Sequence, residues 1–593
     1  CCERSVDGSP IGTYVVSTTP PVVNAFSISD VTPGDRRLHG RLRAVDHRAP
    51  LGAWGETPSG RVLDPRTEAF ARARLGEPLG APDPSETAGR IAGRTAAEDS
   101  ALTPERMRAL FPGVEWSLDA SMRARFSRGM SYLNLMSWRA GEAARLPDAV
   151  VFPASHEHVL EVLAACSAQG IAVVPVGGGT SVTGGVDTPD LDTVVVCSLD
   201  HMSEVQNLDA ESGIVTVQAG ATGPQLESYL NELGWTLGHF PQSFERATIG
   251  GYIATRSSGQ SSSGYGRIED LLVGAELATP VGTLSVGGYP ASATGPDLRH
   301  VVLGSEGALG IVTSADLRVR AFPTFREYSA AIVPGDFSAA ANVVRALTRS
   351  PLRPTIMRAS DEAETKALLT MSGPGGVLGG AFSTYVRLRR ALPGSLIILG
   401  WESESATTLA AMRAFARETL ADAGAVSIGG RPGRAWVASR FLGPYQRDAL
   451  MDAGYLVETF ETVVVWSAID DTHHTLAKVV RAELGDDSYV MAHISHSYEV
   501  GASLYFTVLA GARSDPLVSM DRWRSAKAAI MGALAECGAA VSHHHGVGRD
   551  HRDYMPPAIG PVGEDILRAM KTTLDPGWIM NPGALVNRPD GQR

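Results

Sequence analysis

Cysteine is scarce in this sequence, and long apolar runs are missing from it. The 593 residues include five cysteines, and these, apart from one adjacent pair, fit no metal-binding spacing: Cys1, Cys2, Cys166, Cys197 and Cys537. We therefore expect free thiols in a reducing compartment. No apolar run approaches the roughly 20 residues of a membrane-spanning helix, and neither a signal-peptide core nor a C-terminal targeting tripeptide is evident. These features predict a cytoplasmic protein.

Positive charge is also in deficit. The formal net charge of −12 at pH 7 argues against a general nucleic-acid-binding protein. The composition is otherwise typical of a globular protein, with 44% hydrophobic and 20% charged residues. Because a chain of this length exceeds what one hydrophobic core usually serves, we expect two or more domains.

The order of apolar patterns divides the chain into five parts. Residues 1–48 lack helical or strand periodicity and are predicted to be a disordered or misassigned extension. Residues 49–145 form a helical and irregular region. Short strands and helices alternate over 146–322, an antiparallel sheet with helices is expected over 323–515, and residues 516–593 form a helical tail with a histidine tract. No G-x-G-x-x-G opens a helix after the first strand, so the expected class is α+β and not a doubly wound nucleotide fold.

One glycine-rich segment is the most informative: Pro175-Val-Gly-Gly-Gly-Thr-Ser-Val-Thr-Gly-Gly185. It follows the apolar run Ile171–Val174, which is typical of a buried strand. Consecutive glycines leave the main chain without Cβ atoms where a ligand could approach it. Their N–H groups, beside the hydroxyls of Thr180 and Ser181, could form a concave anion site suited to a pyrophosphate. Taken alone, the segment could equally be a plain loop.

Four further segments of the same region are rich in glycine and small polar residues. They are Pro241–Gly251, Ala254–Gly259, Tyr265–Asp270 and Gly304–Val312. A single cluster of this kind is most often a surface turn. Four of them in one domain, each next to a predicted strand, indicate a main chain that wraps around one large ligand.

The order and spacing of these segments resemble the FAD-binding domain of vanillyl-alcohol-oxidase-type flavoproteins. The resemblance rests on Gly177–Ser181, Ile249-Gly-Gly251, Tyr265-Gly-x-Ile-Glu-Asp270, Thr294-Gly-Pro-Asp297 and Gly304–Gly310. It implies FAD bound without a covalent link, with the pyrophosphate on residues 175–182. The cofactor-binding residues that it implies are Pro175, Val176, Gly177, Gly178, Gly179, Thr180, Ser181, Val182, Pro241, Gln242, Ser243, Thr248, Gly250, Gly251, Ala254, Thr255, Arg256, Ser257, Glu306, Gly307, Ala308, Leu309, Gly310 and Ile311.

The second half of the chain resembles the alkyldihydroxyacetonephosphate synthase family. The segments that carry this resemblance are Tyr498-Glu-x-Gly-Ala-Ser-Leu-Tyr-Phe506, Ser542-His-His-His-Gly-Val-Gly548, Tyr445-Gln-Arg-Asp448 and Pro354-x-x-x-Arg358. With Ala53-Trp-Gly55 and Arg145-Leu-Pro-Asp148 upstream, the likeness covers about residues 50–590. It implies that Tyr505 is the acid/base catalyst, that His543, His544 and His545 are catalytic residues with it, and that Arg447 and Arg358 bind substrate.

The resemblance also implies a reaction. The family exchanges the acyl chain of acyl-dihydroxyacetone phosphate for a long-chain fatty alcohol, giving an ether-lipid precursor without net oxidation by way of an adduct at flavin N5. A tyrosine that acts as a base would need its pKa lowered by cationic neighbours, such as the histidines and Arg447. The expected partners are those two lipid substrates, a membrane surface contacted peripherally and a second copy of the chain in a homodimer. Neither a metal nor a nucleic acid is expected.

Other interpretations of these residues stay open. A single tyrosine at the end of a strand is usually a core residue, and a run of three histidines could belong to a zinc site. The segment Leu574-Asp-Pro-x-x-x-x-Asn-Pro-Gly583 resembles FAD-linked D-lactate and glycolate dehydrogenases, and Ser503 replaces a cysteine of eukaryotic synthases. An FAD-linked 2-hydroxyacid dehydrogenase is therefore the alternative function, and a flavin-binding protein without turnover is a more distant one.

Overall fold

The computed structural model describes residues 40–41, 51–55, 63–78, 100–142, 145–373, 376–511 and 515–588. The extension predicted to be disordered, residues 1–48, lies outside these ranges except for the two-residue strand Gly40–Arg41. Within the same ranges, no helix combines the length and the apolar character that crossing a bilayer requires.

The first half of the described chain contains two main sheets joined by short helices. Its strands are β1 (Gly40–Arg41), β2 (Glu115–Ser117), β3 (Ala149–Phe152), β4 (Ala172–Val176), β5 (Val194–Ser198), β6 (Glu204–Asp209), β7 (Ile214–Gln218), β8 (Trp235–Thr236), β9 (Leu272–Thr279), β10 (Gly282–Gly287), β11 (Ile311–Arg318) and β12 (Arg320–Ala321). Its helices are α1 (Pro65–Leu75), α2 (Pro104–Leu110), α3 (Ala120–Arg125), α4 (Tyr132–Ala140), α5 (His156–Gln169), α6 (Gly223–Glu232), α7 (Ile249–Ala254), α8 (Ser262–Tyr265), α9 (Ile268–Leu271) and α10 (Arg299–Val302). One sheet has the order β2-β3-β5-β4, in which β3 and β4 run parallel to β5. The other is antiparallel, with the order β1-β6-β7-β11-β9-β10.

Helix α5 shows how local sequence sets the limits of these elements. The Ser155 hydroxyl accepts the N–H of His158 as an N-cap, and Gly170 ends the helix in the left-handed conformation. Its buried side chains, Val159, Val162, Leu163 and Cys166, recur at helical spacing and pack into the core between the two sheets. This helix is predicted correctly because its cap, its stripe and its stop are all local.

The second half is organised around one seven-stranded antiparallel sheet. Its strands are β13 (Phe325–Pro334), β14 (Ile356–Ser360), β15 (Gly394–Ser403), β16 (Val426–Gly429), β17 (Tyr455–Val465), β18 (Tyr489–Ser497) and β19 (Gly501–Gly511), in the order β16-β13-β15-β14-β18-β19-β17. The helices are α11 (Phe337–Thr348), α12 (Glu362–Ser372), α13 (Gly376–Leu388), α14 (Ala406–Asp422), α15 (Arg431–Ser439), α16 (Gly443–Asp452), α17 (Ile469–Leu484), α18 (Pro516–Glu536) and α19 (Met555–Leu574). The sequence had predicted this antiparallel sheet, its helical cover and the helical tail.

The two faces of this sheet have different neighbours. On one face, apolar side chains pack against α11, α14, α17 and α18 in the largest core of the described chain. The opposite face carries His493, Tyr505 and Glu461, which are direct cross-strand neighbours on β18, β19 and β17. A smaller apolar cluster lies under α13, against β13 and β15. Because successive side chains of a strand point to opposite faces of the sheet, the apolar core lies on one face and the polar residues of the candidate site lie on the other.

Strand β18, which carries two histidines of the site, is not predicted from the sequence. Its residues, Tyr489-Val-Met-Ala-His-Ile-Ser-His-Ser497, are almost all buried on both faces. An inner strand with polar residues on one face shows no simple alternation of apolar and polar positions. Its pairing with β14 and β19 is a tertiary feature that overrides local pattern.

Candidate active site

A cleft of about 680 Å³ opens among the glycine-rich segments of the first half. The residues expected at a cofactor that line it are Pro175, Val176, Gly177, Ser181, Thr248, Gly250, Gly251, Ala254, Thr255, Glu306, Gly307, Gly310 and Ile311. Three segments that are distant in sequence therefore converge on one cavity. Its walls are main chain and small side chains, and Glu306 is the one acidic or basic side chain among the residues that line it.

Two glycines of the glycine-rich segment, one of which lines the cleft, serve contacts between protein segments. A Cβ atom on Gly178 would lie 2.0 Å from the carbonyl oxygen of Arg246, and one on Gly177 would lie 2.2 Å from Oγ1 of Thr248. Of the three consecutive glycines 177–179, Gly179, at φ +66°, is the one with no atom within 4 Å of such a Cβ. Glycine at positions 177 and 178 was expected to leave room for a ligand. The structure shows instead that another segment of the chain occupies this space.

The remaining residues expected at the cofactor do not line this cleft. They are Gly178, Gly179, Thr180, Val182, Pro241, Gln242, Ser243, Arg256, Ser257, Ala308 and Leu309. The Gln242 amide donates to a main-chain carbonyl between α15 and α16 at 2.9 Å. Arg256 is paired with Glu269, and Ser257 is hydrogen-bonded to His239. Since these side chains already have protein partners, their contacts with a cofactor stay predictions.

The cleft also has walls that the sequence analysis did not assign. They are Thr183, Gly185, Val186, Leu199 and Val312. Leu199 and Val312 are ordinary apolar residues without a local signal, and only the fold brings them to the cavity. Thr183 and Gly185 lie within the glycine-rich segment, just past residue 182, where the implied cofactor contacts end.

A segment near the end of the described chain fastens both sides of the cleft. The buried ammonium group of Lys571 donates to the carbonyl of Ala308 at 2.6 Å. The side-chain amide of Asn581 donates to the carbonyls of Gly185 and Glu306 at 2.8 Å and 2.7 Å. The motif that suggested a dehydrogenase therefore has a structural role here, since it fixes the two loops that face each other across the cavity.

Tyr505, on the sheet of the second half, is surrounded by the imidazole rings of His493, His544 and His545. We call this group of side chains the Tyr505 nest. The tyrosine ring stacks on those of His493 and His544, with centroids 5.0 Å and 6.0 Å away, and meets His545 edge-on at 5.7 Å. Its hydroxyl donates to Oγ1 of Thr459 at 3.1 Å. The structure thus brings the expected tyrosine and histidines together, and it adds His493, which no sequence signal indicated.

Two buried carboxylates shape the histidine tract, Ser542–Gly548. Glu461 accepts the three consecutive backbone N–H groups of residues 543–545 at distances of 2.7 Å to 3.1 Å. Glu306 accepts the N–H groups of residues 547 and 548 at 2.5 Å and 2.6 Å. Because Glu306 also lines the cofactor cleft, one carboxylate connects the cleft with the tract.

Burial controls the protonation of this nest. It lowers the pKa of His544 to about 3, and it holds the pKa of His543 and His545 below the ordinary value as well. It raises the pKa of Tyr505 to about 12, although Arg447 acts in the opposite direction. The expectation that cationic neighbours lower the pKa of Tyr505 is therefore wrong. Desolvation outweighs the effect of Arg447, so the phenol stays protonated and the imidazoles stay neutral at pH 7.

The two arginines expected at the substrate lie beside the nest. Arg358 donates to Nε2 of His493 at 2.8 Å and to Glu364 at 2.8 Å. Arg447, on α16, donates to the carbonyl of Met130 at 3.0 Å. The Nε–H group of each arginine is buried without a hydrogen-bond partner among the described residues. A bound anion would satisfy these two donors.

The zinc alternative has a geometric basis. His496, His543 and His544 each present a ring nitrogen, and these nitrogens lie within 4.8 Å of one another. Hydrogen bonds nevertheless occupy the rings, since His543 contacts Tyr498 and His544 through its two nitrogens and His496 contacts the Gly259 carbonyl. These hydrogen bonds compete with a metal ion for the ring nitrogens, and the absence of a metal stays a prediction.

Comparisons with known proteins cover most of the chain. The family model for an FAD binding domain matches residues 147–287, and that for the C-terminal domain of FAD linked oxidases matches residues 325–585. The alkyldihydroxyacetonephosphate synthase of Trypanosoma brucei brucei is 30% identical over 82% of this chain and 81% of its own. A solved structure of an alkyldihydroxyacetonephosphate synthase is 27% identical, with a TM-score of 0.74 over 87% of this chain and 92% of its own. A weaker likeness, 26% identity over 75% of this chain and 74% of the relative, joins it to the mitochondrial D-lactate dehydrogenase (cytochrome) of Arabidopsis thaliana.

Proposed function

The chain belongs to the alkyldihydroxyacetonephosphate synthase family, and on this premise we propose that it exchanges the acyl chain of acyl-dihydroxyacetone phosphate for a long-chain fatty alcohol. One observation carries the proposal: Glu306 lines the cofactor cleft and also binds the tract that surrounds Tyr505 with imidazoles. In the exchange, the ester C–O bond breaks with its electron pair on the departing carboxylate, and the alcohol oxygen forms the ether bond. No net oxidation occurs, so no external electron acceptor is consumed.

FAD is the cofactor, and the cleft fits it. The cleft has the small-residue walls that let a large ligand approach the main chain, and the hydroxyls of Ser181 and Thr248 lie in its lining beside the glycine backbone. When bound, FAD supplies the electron-accepting ring system that makes an otherwise unreactive substrate carbon exchangeable. No histidine or cysteine is among the residues that line the cleft, which supports attachment without a covalent bond.

The substrate phosphate is assigned to the two arginines. Each has a buried Nε–H group without a protein partner within the described ranges, and a guanidinium group offers paired donors that match phosphate oxygens. Glu364 already neutralises part of the charge of Arg358. Arg447 has no carboxylate hydrogen-bonded to it within the described ranges and is therefore assigned the stronger phosphate contact.

Proton transfer is assigned to the nest. Because Tyr505 stays protonated, its hydroxyl donates and relays protons, and the neutral rings of His544 and His545 are the proton acceptors. Glu461 fixes the backbone of these histidines, so the acceptors stay in place while the substrate carbon reacts. Burial of the same groups excludes water, which would otherwise compete with the alcohol.

The proposal is tested by incubating the purified protein with acyl-dihydroxyacetone phosphate and labelled hexadecanol, without an electron acceptor. The expected result is label in an ether lipid and one fatty acid released for each ether bond formed. The Tyr505→Phe variant is the control for non-enzymatic exchange. Fatty acid release without labelled ether would contradict the proposal.

The same protein distinguishes the dehydrogenase alternative. An FAD-linked 2-hydroxyacid dehydrogenase would reduce an artificial electron acceptor when D-lactate is supplied, whereas a synthase leaves the acceptor unchanged. Steady reduction by D-lactate together with no exchange would replace the proposed function by the alternative one.

We also propose a peripheral contact with a membrane, because both lipid substrates are held in bilayers. The end of α13 supports this contact: Tyr385, Leu388 and Leu392 are exposed at 38%, 75% and 48%, beside the exposed Arg387, Arg389 and Arg390. Clustered positive charge on a chain of net charge −12, together with exposed apolar side chains, suits an anionic lipid surface.

Sedimentation with phosphatidylserine-containing vesicles tests the membrane contact. The Leu388→Asp variant should lose co-sedimentation, and the Val281→Asp variant, at a residue 57% exposed in the β9–β10 turn, should keep it. If both variants co-sedimented equally, the contact would lie elsewhere on the protein. If neither these variants nor the wild type co-sedimented, there would be no such contact.

A homodimer remains a prediction for this family member. Its support is the resemblance alone, since the structure contains one chain. The mass of the holoprotein in solution tests it, and a monomer at all concentrations would contradict it.

A further inference from the structure

The proposed exchange leaves a proton in a buried site. The alcohol loses its hydroxyl proton, and the departing fatty acid is a carboxylate at neutral pH because its pKa is near 4. Each turnover therefore releases one proton in addition to the ether and the carboxylate. The imidazoles around Tyr505 cannot retain this proton, because burial strongly disfavours their charged form. The site requires a way to pass the proton outward.

A continuous hydrogen-bonded chain leads away from the nest. Nδ1 of His544, whose ring stacks on Tyr505, lies 2.8 Å from Nδ1 of His543. Nε2 of the same His543 lies 2.5 Å from the hydroxyl oxygen of Tyr498. Two imidazoles that share one proton between like nitrogens must adopt opposite tautomers, since one donates and the other accepts. The chain thus has the alternation of donors and acceptors that proton transfer needs.

The hydrogen-bonded chain ends at a group less buried than the one before it. His543 is 6% exposed and lies between the partly exposed His544 and Tyr498, which is half-buried and begins the turn whose residues Glu499 and Val500 are exposed. The Tyr498 hydroxyl has a further partner in the buried Ser258, on the cofactor-binding half. Burial raises the pKa of Tyr498 to about 12, so its hydroxyl remains protonated and can both accept and donate.

We propose that His544, His543 and Tyr498 form a proton relay that carries the proton of each turnover out of the Tyr505 nest. His544 accepts a proton on Nε2 and gives up the one on Nδ1 to Nδ1 of His543. His543 then gives up its Nε2 proton to the hydroxyl oxygen of Tyr498, which releases its own proton outward. Charge and protons balance at each step, and both imidazoles end in the opposite tautomer. This role for Tyr498 rests on the proposed exchange and extends it.

The test is the Tyr498→Phe holoenzyme, which loses only the relaying oxygen and keeps the ring. In weak buffer its kcat for labelled ether formation should fall about a hundredfold, the lower end of the range for one proton-transfer step. KM and FAD content should stay unchanged. Added imidazole, a small proton carrier, should restore much of the rate to the variant and little to the wild type. Tyr489→Phe is the matched control. It also removes the hydroxyl of a half-buried tyrosine, one that donates to the Ala363 carbonyl at 2.8 Å and packs against the largest core.

The outcomes are distinct. A wild type that forms no labelled ether would overturn the proposed function, and the relay with it. A wild type that forms ether, with a Tyr498→Phe variant of equal rate in weak buffer, would overturn the relay alone. A slow variant that imidazole does not restore would show that Tyr498 only supports the fold, which also overturns the relay. Should Tyr498→Phe fail to retain FAD, His543→Gln interrupts the same chain at its middle and is judged by the same restoration.

Discussion

The cofactor cleft and the Tyr505 nest border each other, yet they are built from different kinds of residue. Among the residues lining the cleft, Glu306 is the one with a charged side chain, and the rest of the wall is main chain and small side chains. The nest holds a phenol, several imidazoles and a buried carboxylate within hydrogen-bond or stacking distance. The cleft therefore selects its ligand by shape, and the nest acts through protonation. Substitutions in the cleft should change occupancy, whereas those in the nest should change rate.

The largest effect is expected from Tyr505→Phe. Loss of the hydroxyl removes the proton donor at the centre of the nest, and the rate of ether formation should fall about a thousandfold. FAD content, measured by absorbance after acid release, should not change, because Tyr505 does not line the cleft. If this variant lost FAD together with activity, the separation between a cleft that binds FAD and a nest that sets the rate would be wrong. Tyr489→Phe serves as the matched control here too.

Gly178→Ala tests the opposite case, a change in shape alone. The new Cβ would meet the Arg246 carbonyl at 2.0 Å, so two segments at the cleft must separate, at a cost of about 2–3 kcal/mol. We expect FAD affinity to fall about a hundredfold, with kcat nearly restored at saturating FAD. Titration of flavin fluorescence measures the affinity.

The control for that prediction is Gly532→Ala on α18. No atom lies within 4 Å of a Cβ at this position, and alanine favours a helix over glycine. FAD affinity should therefore equal that of the wild type. A Gly178→Ala variant with unchanged affinity would show that the cleft tolerates the separation, and shape selection would lose its support.

Glu461→Gln tests whether a charge holds the nest in place. Three backbone N–H groups would lose their ionised acceptor, at a cost of about 2 kcal/mol, which corresponds to a roughly thirtyfold loss of kcat. FAD content should not change. The exposed Glu418→Gln is the control. Full activity of Glu461→Gln would mean that the tract keeps its shape without the charge.

The same variant has a defined pH dependence. Burial alone would raise the pKa of Glu461, but the neighbouring imidazoles, which take up protons in the same acid range, and the hydrogen bond from Ser542 hold it well below the usual range. A lowered carboxyl pKa stabilises the folded state above the unfolded value of about 4.3, and the stabilisation is lost as the pH falls through the folded value. The difference in free energy of unfolding between wild type and Glu461→Gln should therefore be full at pH 7 and shrink below about pH 4.

The smallest effect is expected from Arg447→Lys. A planar guanidinium fork becomes a point charge, so KM for the phosphate substrate should rise about tenfold, equivalent to about 1.4 kcal/mol. Neither kcat nor FAD content should change much. The exposed Arg417→Lys on α14 is the control. An unchanged KM would move the phosphate contact from Arg447 to another residue.

The same contrast explains what the sequence could predict. Much of the cleft was found because glycine runs are local signals, although Gly177 and Gly178 serve a protein contact. Tyr505 and the histidine tract were found through a family resemblance, and their protonation was misjudged because burial is not visible in a sequence. His493 and Tyr498 were assigned no role, since strand pairing and a hydrogen bond across 45 residues place them.

The fastening of the cleft by Lys571 and Asn581 has a consequence for biosynthesis. The glycine-rich loops leave the ribosome about four hundred and about two hundred and seventy residues before the amide that joins them, if Gly185 and Glu306 are counted to Asn581. Nascent chains halted before residue 571 would contain both loops of the cleft but lack the hydrogen bonds from Lys571 and Asn581 that join them. We therefore expect flavin loading to be a late step of maturation, so that a truncated chain leaves the ribosome colourless.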